Sequence, residues 1–228
     1  LSNVILGVTS FVAARRFLSA SATGAAATAA MVILNSSFSL GFAGYLNFDS
    51  YQPANFAIAM GLSGVTLLFL RQELAGTACF ILGGITHPTL GVEIASVAFF
   101  AIGVAAIARD RSLNAIRPFV IPGVLFLVAM VIAWGLPNLS ATSFRMPDGS
   151  FFDILAHRRA PHHYLGLDFP HMAWFHAALF LAGTAAVYGL AIRRLGASRE
   201  RMALGLMALM VVAICLASLW FVDIAHNR

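Results

Sequence analysis

Two guanidinium groups and three imidazoles fall within eight residues in the stretch HRRAPHHY, His157 to Tyr164. Arg158 and Arg159 offer planar forks that hold a phosphate or carboxylate through paired N–H groups. Imidazole as a class titrates near neutrality, so His162 and His163 suit proton transfer. His157, Tyr164 and, farther along, His171 complete a set able to bind an anion. The competing reading is an anchor: the arginines hold lipid headgroups while the histidines line a polar loop.

A second group is THPTLGVEI, residues 86 to 94, where His87 stands at a corner before Pro88 and Glu93 follows inside an apolar run. An ionisable group within a membrane span is costly and faces a cavity or a partner by default. Alternatively, His87 caps a helix and Glu93 bonds a neighbouring span. Asp49, between Asn47 and Tyr51, is the third candidate, and a lone loop aspartate is most often simply solvated. The catalytic candidates are therefore His87, His162, His163, Asp49 and Glu93. The substrate-binding candidates are Arg158, Arg159, His157, Tyr164 and His171.

Metal ligation is left open. HExxH is absent, and His171 and His176 are five apart, off the i, i+4 spacing that stacks two ligands on one helical face. A divalent ion would have to be assembled from separate segments, for instance His87 with His162, His163 or His171. The short GLSG at 61–64 matches the pattern around the nucleophile of rhomboid-type intramembrane proteases. Ser63 lies about ten residues, roughly 15 Å, below the level of His87, so small-residue helix packing accounts for it better.

The elements that position these residues follow from composition. Hydrophobic residues make up 60% of the 228 and charged residues 10%, which is outside the range of an ordinary soluble domain. The expected fold is all-α: a polytopic transmembrane helix bundle in one membrane domain, 1–228. With about 20 apolar residues per crossing, the segments fall near 2–14, 22–44, 53–70, 74–87, 88–108, 119–137, 171–192 and 202–222. A continuous helix over 74–108 would run about 52 Å, too long for one crossing, and Gly83, Gly84 and Pro88 supply the break. The chain opens on Leu1 inside an apolar run with no basic stretch before it, as expected of the C-terminal part of a longer protein whose upstream spans precede Leu1.

All fourteen basic residues are arginines. Arg15, Arg16, Arg71, Arg109, Arg111, Arg117, Arg193, Arg194, Arg199 and Arg201 fall in alternate connections, ten on one side. Arg145, Arg158, Arg159 and Arg228 make four on the other. The positive-inside rule assigns the richer side to the cytoplasm. Connections 45–53, 85–89 and 138–170 are then extracytoplasmic, the last with a short interfacial helix that begins near Ser150 and ends before Pro161. Scattered arginines make no stripe for nucleic acid. Cys79 and Cys215 sit in apolar runs and define no disulfide or metal motif.

With His87–Pro88 and Arg159, Pro161, His162, His163 and Tyr164 on one face, the chain resembles a loosely defined group of bacterial polytopic membrane proteins with an HP corner and an RxPHHY outer loop. Its architecture is similar to that of the GT-C type glycosyltransferases. The resemblance implies an outward cavity in the bacterial inner membrane, where a polyprenyl-phosphate-linked sugar is held by arginine or histidine and an acidic residue acts as base or metal ligand. This chain has no DD, DE or ExD pair, and Asp49 is a poor substitute. The expected function is sugar transfer from that carrier at the extracytoplasmic face, with membrane lipid and the lipid-linked sugar as partners. Two alternatives stand beside it: a redox protein whose histidines ligate haem or a metal, and a proton-coupled transporter using Glu93 and His87.

Overall fold

The computed structural model describes residues 1–34, 53–137 and 198–219, together with scattered positions between 171 and 196. The described residues are helical and contain no strand. The helices are α1 (Ser2–Phe17), α2 (Ala22–Leu34), α3 (Pro53–Phe69), α4 (Glu73–Thr86), α5 (Pro88–Asp110), α6 (Arg117–Met130) and α7 (Arg199–Leu219). A 3₁₀ turn, Leu113–Ile116, leads into α6, and a π turn, Val131–Gly135, prolongs it. Residues 35–52, which hold Asp49, and 138–170, which hold the expected interfacial helix, lie outside the described residues.

The break expected within 74–108 is present. Helix α4 stops at Thr86, His87 takes an extended conformation (φ −146°, ψ 94°), and Pro88 opens α5. Proline at the first helical position has no N–H to leave unpaired and disfavours helical geometry in the residue before it. Two successive helices therefore replace one. They cross very closely: a Cβ on Gly91 would overlap the backbone of Gly83 and Gly84.

Helix α3 lies beside α4, α1 and α5, while α4 also meets α6, and α7 lies along α5. Between α3 and α4 the spacing is again set by absent side chains. A Cβ on Gly64 would come within 2.6 Å of the Phe80 ring, and one on Gly76 within 2.9 Å of the Gly64 carbonyl oxygen. Phe80 fills the centre and continues through edge contacts to Phe99 (5.4 Å) and on to Phe126 (6.2 Å). Leu68, Ala95, Ala98 and Ile102 close the core around these rings.

Two helical stretches are long and apolar enough to cross a membrane: Pro88–Asp110, with mean hydropathy 2.2, and Leu113–Gly135, with 2.3. The apolar helices α3 (17 residues) and α4 (14 residues) are shorter than a full crossing. The all-α expectation is met, whereas the eight-span bundle is not established by these helices. Only 17% of the Leu113–Gly135 window is buried inside the protein. Ile121, Val124, Leu127 and Ile132 are all more than half exposed, an apolar surface that water does not favour and that the core of a soluble domain would cover.

Candidate functional site

The helices run alternately, and their ends sort by charge. Arg71 follows α3, Glu73 opens α4, Asp110 and Arg111 end α5, Arg117 opens α6 and Arg199 opens α7. Contacts tie these termini together: Arg71 Nη2 lies 3.9 Å from Glu200 Oε1, Phe17 stacks edge-on with Phe69 at 5.6 Å, and the Arg199 guanidinium lies 5.6 Å above the Phe119 ring. The opposite end holds the start of α3, the His87 corner and the end of the π turn. There the Trp134 indole N–H donates to the Gly84 carbonyl at 2.9 Å. The connections 35–52 and 138–170 thus both leave described elements at the His87 end.

His87 is half-buried, and its ring does local work. Nδ1 accepts from the Leu90 backbone N–H at 3.4 Å, at the long limit of a hydrogen bond, and so caps α5. A ring nitrogen that accepts carries no proton, so the neutral ring holds its proton on Nε2. In that state His87 presents an N–H donor to its surroundings, a group suited to a phosphate or hydroxyl oxygen. Taking up a proton at Nδ1, or a metal there, would displace the cap.

Glu93 is exposed on α5, on the same face as Ser96 and Phe100. No hydrogen bond or ion pair joins it to His87. Five residues into α5, it stands about 7.5 Å along the axis from Pro88. Ser96, one turn below Glu93, lines an open groove of about 430 Å³ between α5 and α6 whose other walls include Phe99, Phe119, Val120 and Val124. His171 is helical and exposed. Asp49, His157, Arg158, Arg159, His162, His163 and Tyr164 lie outside the described residues, so no geometry links them to His87. Among the described residues, no three His, Cys, Asp or Glu side chains gather as a metal site would require.

Ser63 of the GLSG stretch is buried and committed. Its hydroxyl donates to the Ala59 carbonyl (2.9 Å), and the Thr9 hydroxyl of α1 lies 2.7 Å away as the remaining donor to it. Gly61 and Gly64 sit under Ile94 and Phe80, so this stretch serves close packing.

No protein-family model matches the chain. No characterised protein and no solved structure matches it either. The functional reading therefore rests on the chain's own residues.

Two polar residues escape a reading of spacing alone. Asn55 is 5% exposed, and its Oδ1 has no hydrogen-bond partner among the described residues. Ala57 opposes Gly83 and Gly61 opposes Ile94, so continuing the register places Asn55 near the level of Ile85 and Pro88. It is two residues from Ala57, about 200° around the helix, and so faces away from α4. Arg199, which the sequence marks only as a topology signal, is 6% exposed and its Nη2 has no partner among the described residues. Burial first, then the neighbouring Arg71, pulls its guanidinium below the ordinary arginine value, against the opposite pull of Glu200, Glu73 and Asp110. A hint was available for Arg199 in Ser198–Arg199–Glu200, a cap followed by an ion pair at a helix start.

Proposed function

We propose that this chain is a multi-pass membrane protein of the bacterial inner membrane, with eight membrane segments and an extracytoplasmic site built from the connections at the His87 end. Its activity there is sugar transfer from a polyprenyl-phosphate carrier, in the manner of the GT-C type enzymes it resembles. The observation that carries the reading is sidedness. The start of α3, the His87–Pro88 corner and the end of the π turn share one end, away from the arginine-rich termini. Asp49 and the HRRAPHHY stretch belong to the two connections that leave from that end. The uncovered apolar surface of α6 and the uncharged run from Met202 to Leu219 support the membrane part.

Chemically, Arg158 and Arg159 would neutralise the departing lipid phosphate, and His87 Nε2–H would donate to one of its oxygens. His162 or His163 would take the acceptor's proton. His87 does not suit the role of base through Nδ1, because that nitrogen is already engaged with Leu90.

The test is release of radiolabelled sugar from a polyprenyl-phosphate-linked hexose by the purified full chain in lipid nanodiscs. Turnover that disappears in Arg158→Gln/Arg159→Gln is the expected result. Neither binding nor turnover of the lipid-linked sugar would sink the transferase reading, and a Soret band or stoichiometric metal in the purified protein would replace it with the redox one.

A further inference from the structure

We infer that the arginine-rich end carries a site for one anionic phospholipid, its phosphate held between Arg71 and Arg199 and an acyl chain in the cavity between α1, α2, α3 and α7. This rests on the membrane location, independently of sugar transfer at the opposite end.

Arg199 is the starting point. A buried guanidinium normally has every N–H directed at an acceptor, because an unpaired one loses its hydration with no return. Here the side chain is 7% exposed and Nη2 has no partner among the described residues. The nearest carboxylate does not satisfy it: Glu200 Oε1 lies 3.9 Å from Arg199 Nε and 3.9 Å from Arg71 Nη2, beyond hydrogen-bond length for both. Two guanidiniums thus share one carboxylate oxygen at a distance. Glu73 and Asp110 also act on Arg199, more weakly than Glu200. A phosphate would accept from Arg71, whose side chain is 58% exposed and free to turn toward it, and would supply the acceptor that Nη2 lacks once the Arg199 guanidinium, enclosed here against Phe119, swings toward it.

The second observation is the adjoining cavity. A space of about 270 Å³ is lined by Phe17, Phe69, Leu195 and Leu204, and Glu200 forms part of its wall. The same carboxylate that lies 3.9 Å from both arginines therefore borders an apolar space, so charged head and hydrocarbon are offered side by side. A free phosphate would use only the first. The membrane leaflet on this side, cytoplasmic by the arginine distribution, is where anionic lipids are enriched.

Arg71 also lends itself to a clean substitution. It occupies a left-handed backbone position (φ 62°) in the short turn between α3 and α4, where glycine is the unstrained choice. Replacing Arg71 by glycine therefore removes the guanidinium without straining the turn.

The test is native mass spectrometry of the full chain in detergent, with phosphatidylglycerol or phosphatidylcholine added. The expected result is one phosphatidylglycerol retained per chain, about tenfold or more over phosphatidylcholine. Arg71→Gly, which suits the turn, and Arg199→Gln should each abolish that preference. Leu204→Trp, which fills the cavity and leaves both arginines, should do the same. Equal retention of the two lipids by the wild type overturns the proposal, as does undiminished preference in Arg71→Gly, the variant that decides if Arg199→Gln does not fold. Displacement of the lipid by inorganic phosphate at millimolar concentration would identify a simple anion site and also overturn it. A chain that stays monodisperse without detergent would remove the membrane reading itself, an outcome distinct from the others.

Discussion

The two ends of the bundle use polar groups differently. At the arginine-rich end the charged residues sit on helix termini and tie them together, with Arg199 drawn under Phe119 and beside Glu200. At the His87 end the described helix termini carry almost no charge. The tight Gly84–Gly91 crossing and the Trp134–Gly84 bond hold that end instead, and its chemistry-bearing residues stand in long connections. A connection is free to vary its side chains without disturbing packing, whereas an ion pair between helix termini is part of the packing. Residues that fail only in function are therefore expected at the His87 end, and residues that fail in stability between and below the helices.

The most damaging test of that contrast is Gly91→Leu. Its side chain would have to occupy the backbone of α4, so no folded protein should be recovered by size-exclusion chromatography. A monodisperse, thermally stable Gly91→Leu would show that the crossing is not as close as described. Next come His162→Ala and His163→Ala. At least one should lower sugar-transfer turnover by about 100-fold, as for loss of a general acid or base, with Tm unchanged in both. Parallel losses of Tm and turnover would erase the distinction between the two ends.

Smaller effects sharpen it. Ser63→Ala removes the α3–α1 hydroxyl contact and leaves Thr9 without that partner, for an expected loss of about 1–2 kcal/mol in denaturant titration and no change in turnover. His87→Ala removes a long cap of α5, so its stability cost should be about 0.5 kcal/mol. Its larger consequence should be weaker binding of the lipid phosphate. A stability loss well above that of Ser63→Ala would make His87 a packing residue.

Much of the helix order was readable because its signals are local. Pro88 after two glycines marks a break wherever an apolar run is too long for one crossing, and the corner stands at His87. The gathering of Arg15, Arg71, Arg111, Arg117 and Arg199 at one end was legible for the same reason: each lies beside a helix terminus that the apolar runs delimit, while Arg145, Arg158, Arg159 and Arg228 lie outside the described residues. What spacing could not show was pairing in space. Arg199 reads as one more positive residue until α5, α6 and the α3–α4 turn are brought to it. Asn55 reads as a polar residue near a helix start until its burial is known. The relation of His87 to Glu93 was also out of reach, because six residues across a corner fix neither a face nor a distance. The candidate site was legible as a set of residue types in connections on one side, and its geometry beyond His87, Glu93 and His171 lies outside the described residues.

Where two backbones meet with no side chain between them, there is no slack to exploit. Through Gly84 and Gly91, α4 and α5 are committed to travel together, so any widening at the His87 end must come from a neighbour without such a backbone contact. Helix α6 is sparsely covered along its length, although Trp134 ties its end to Gly84, and its final turn is underwound, with about one residue more per turn than an ordinary helix. Any opening at that end would then have to pivot α6 about the Trp134–Gly84 tie, against a rigid wedge.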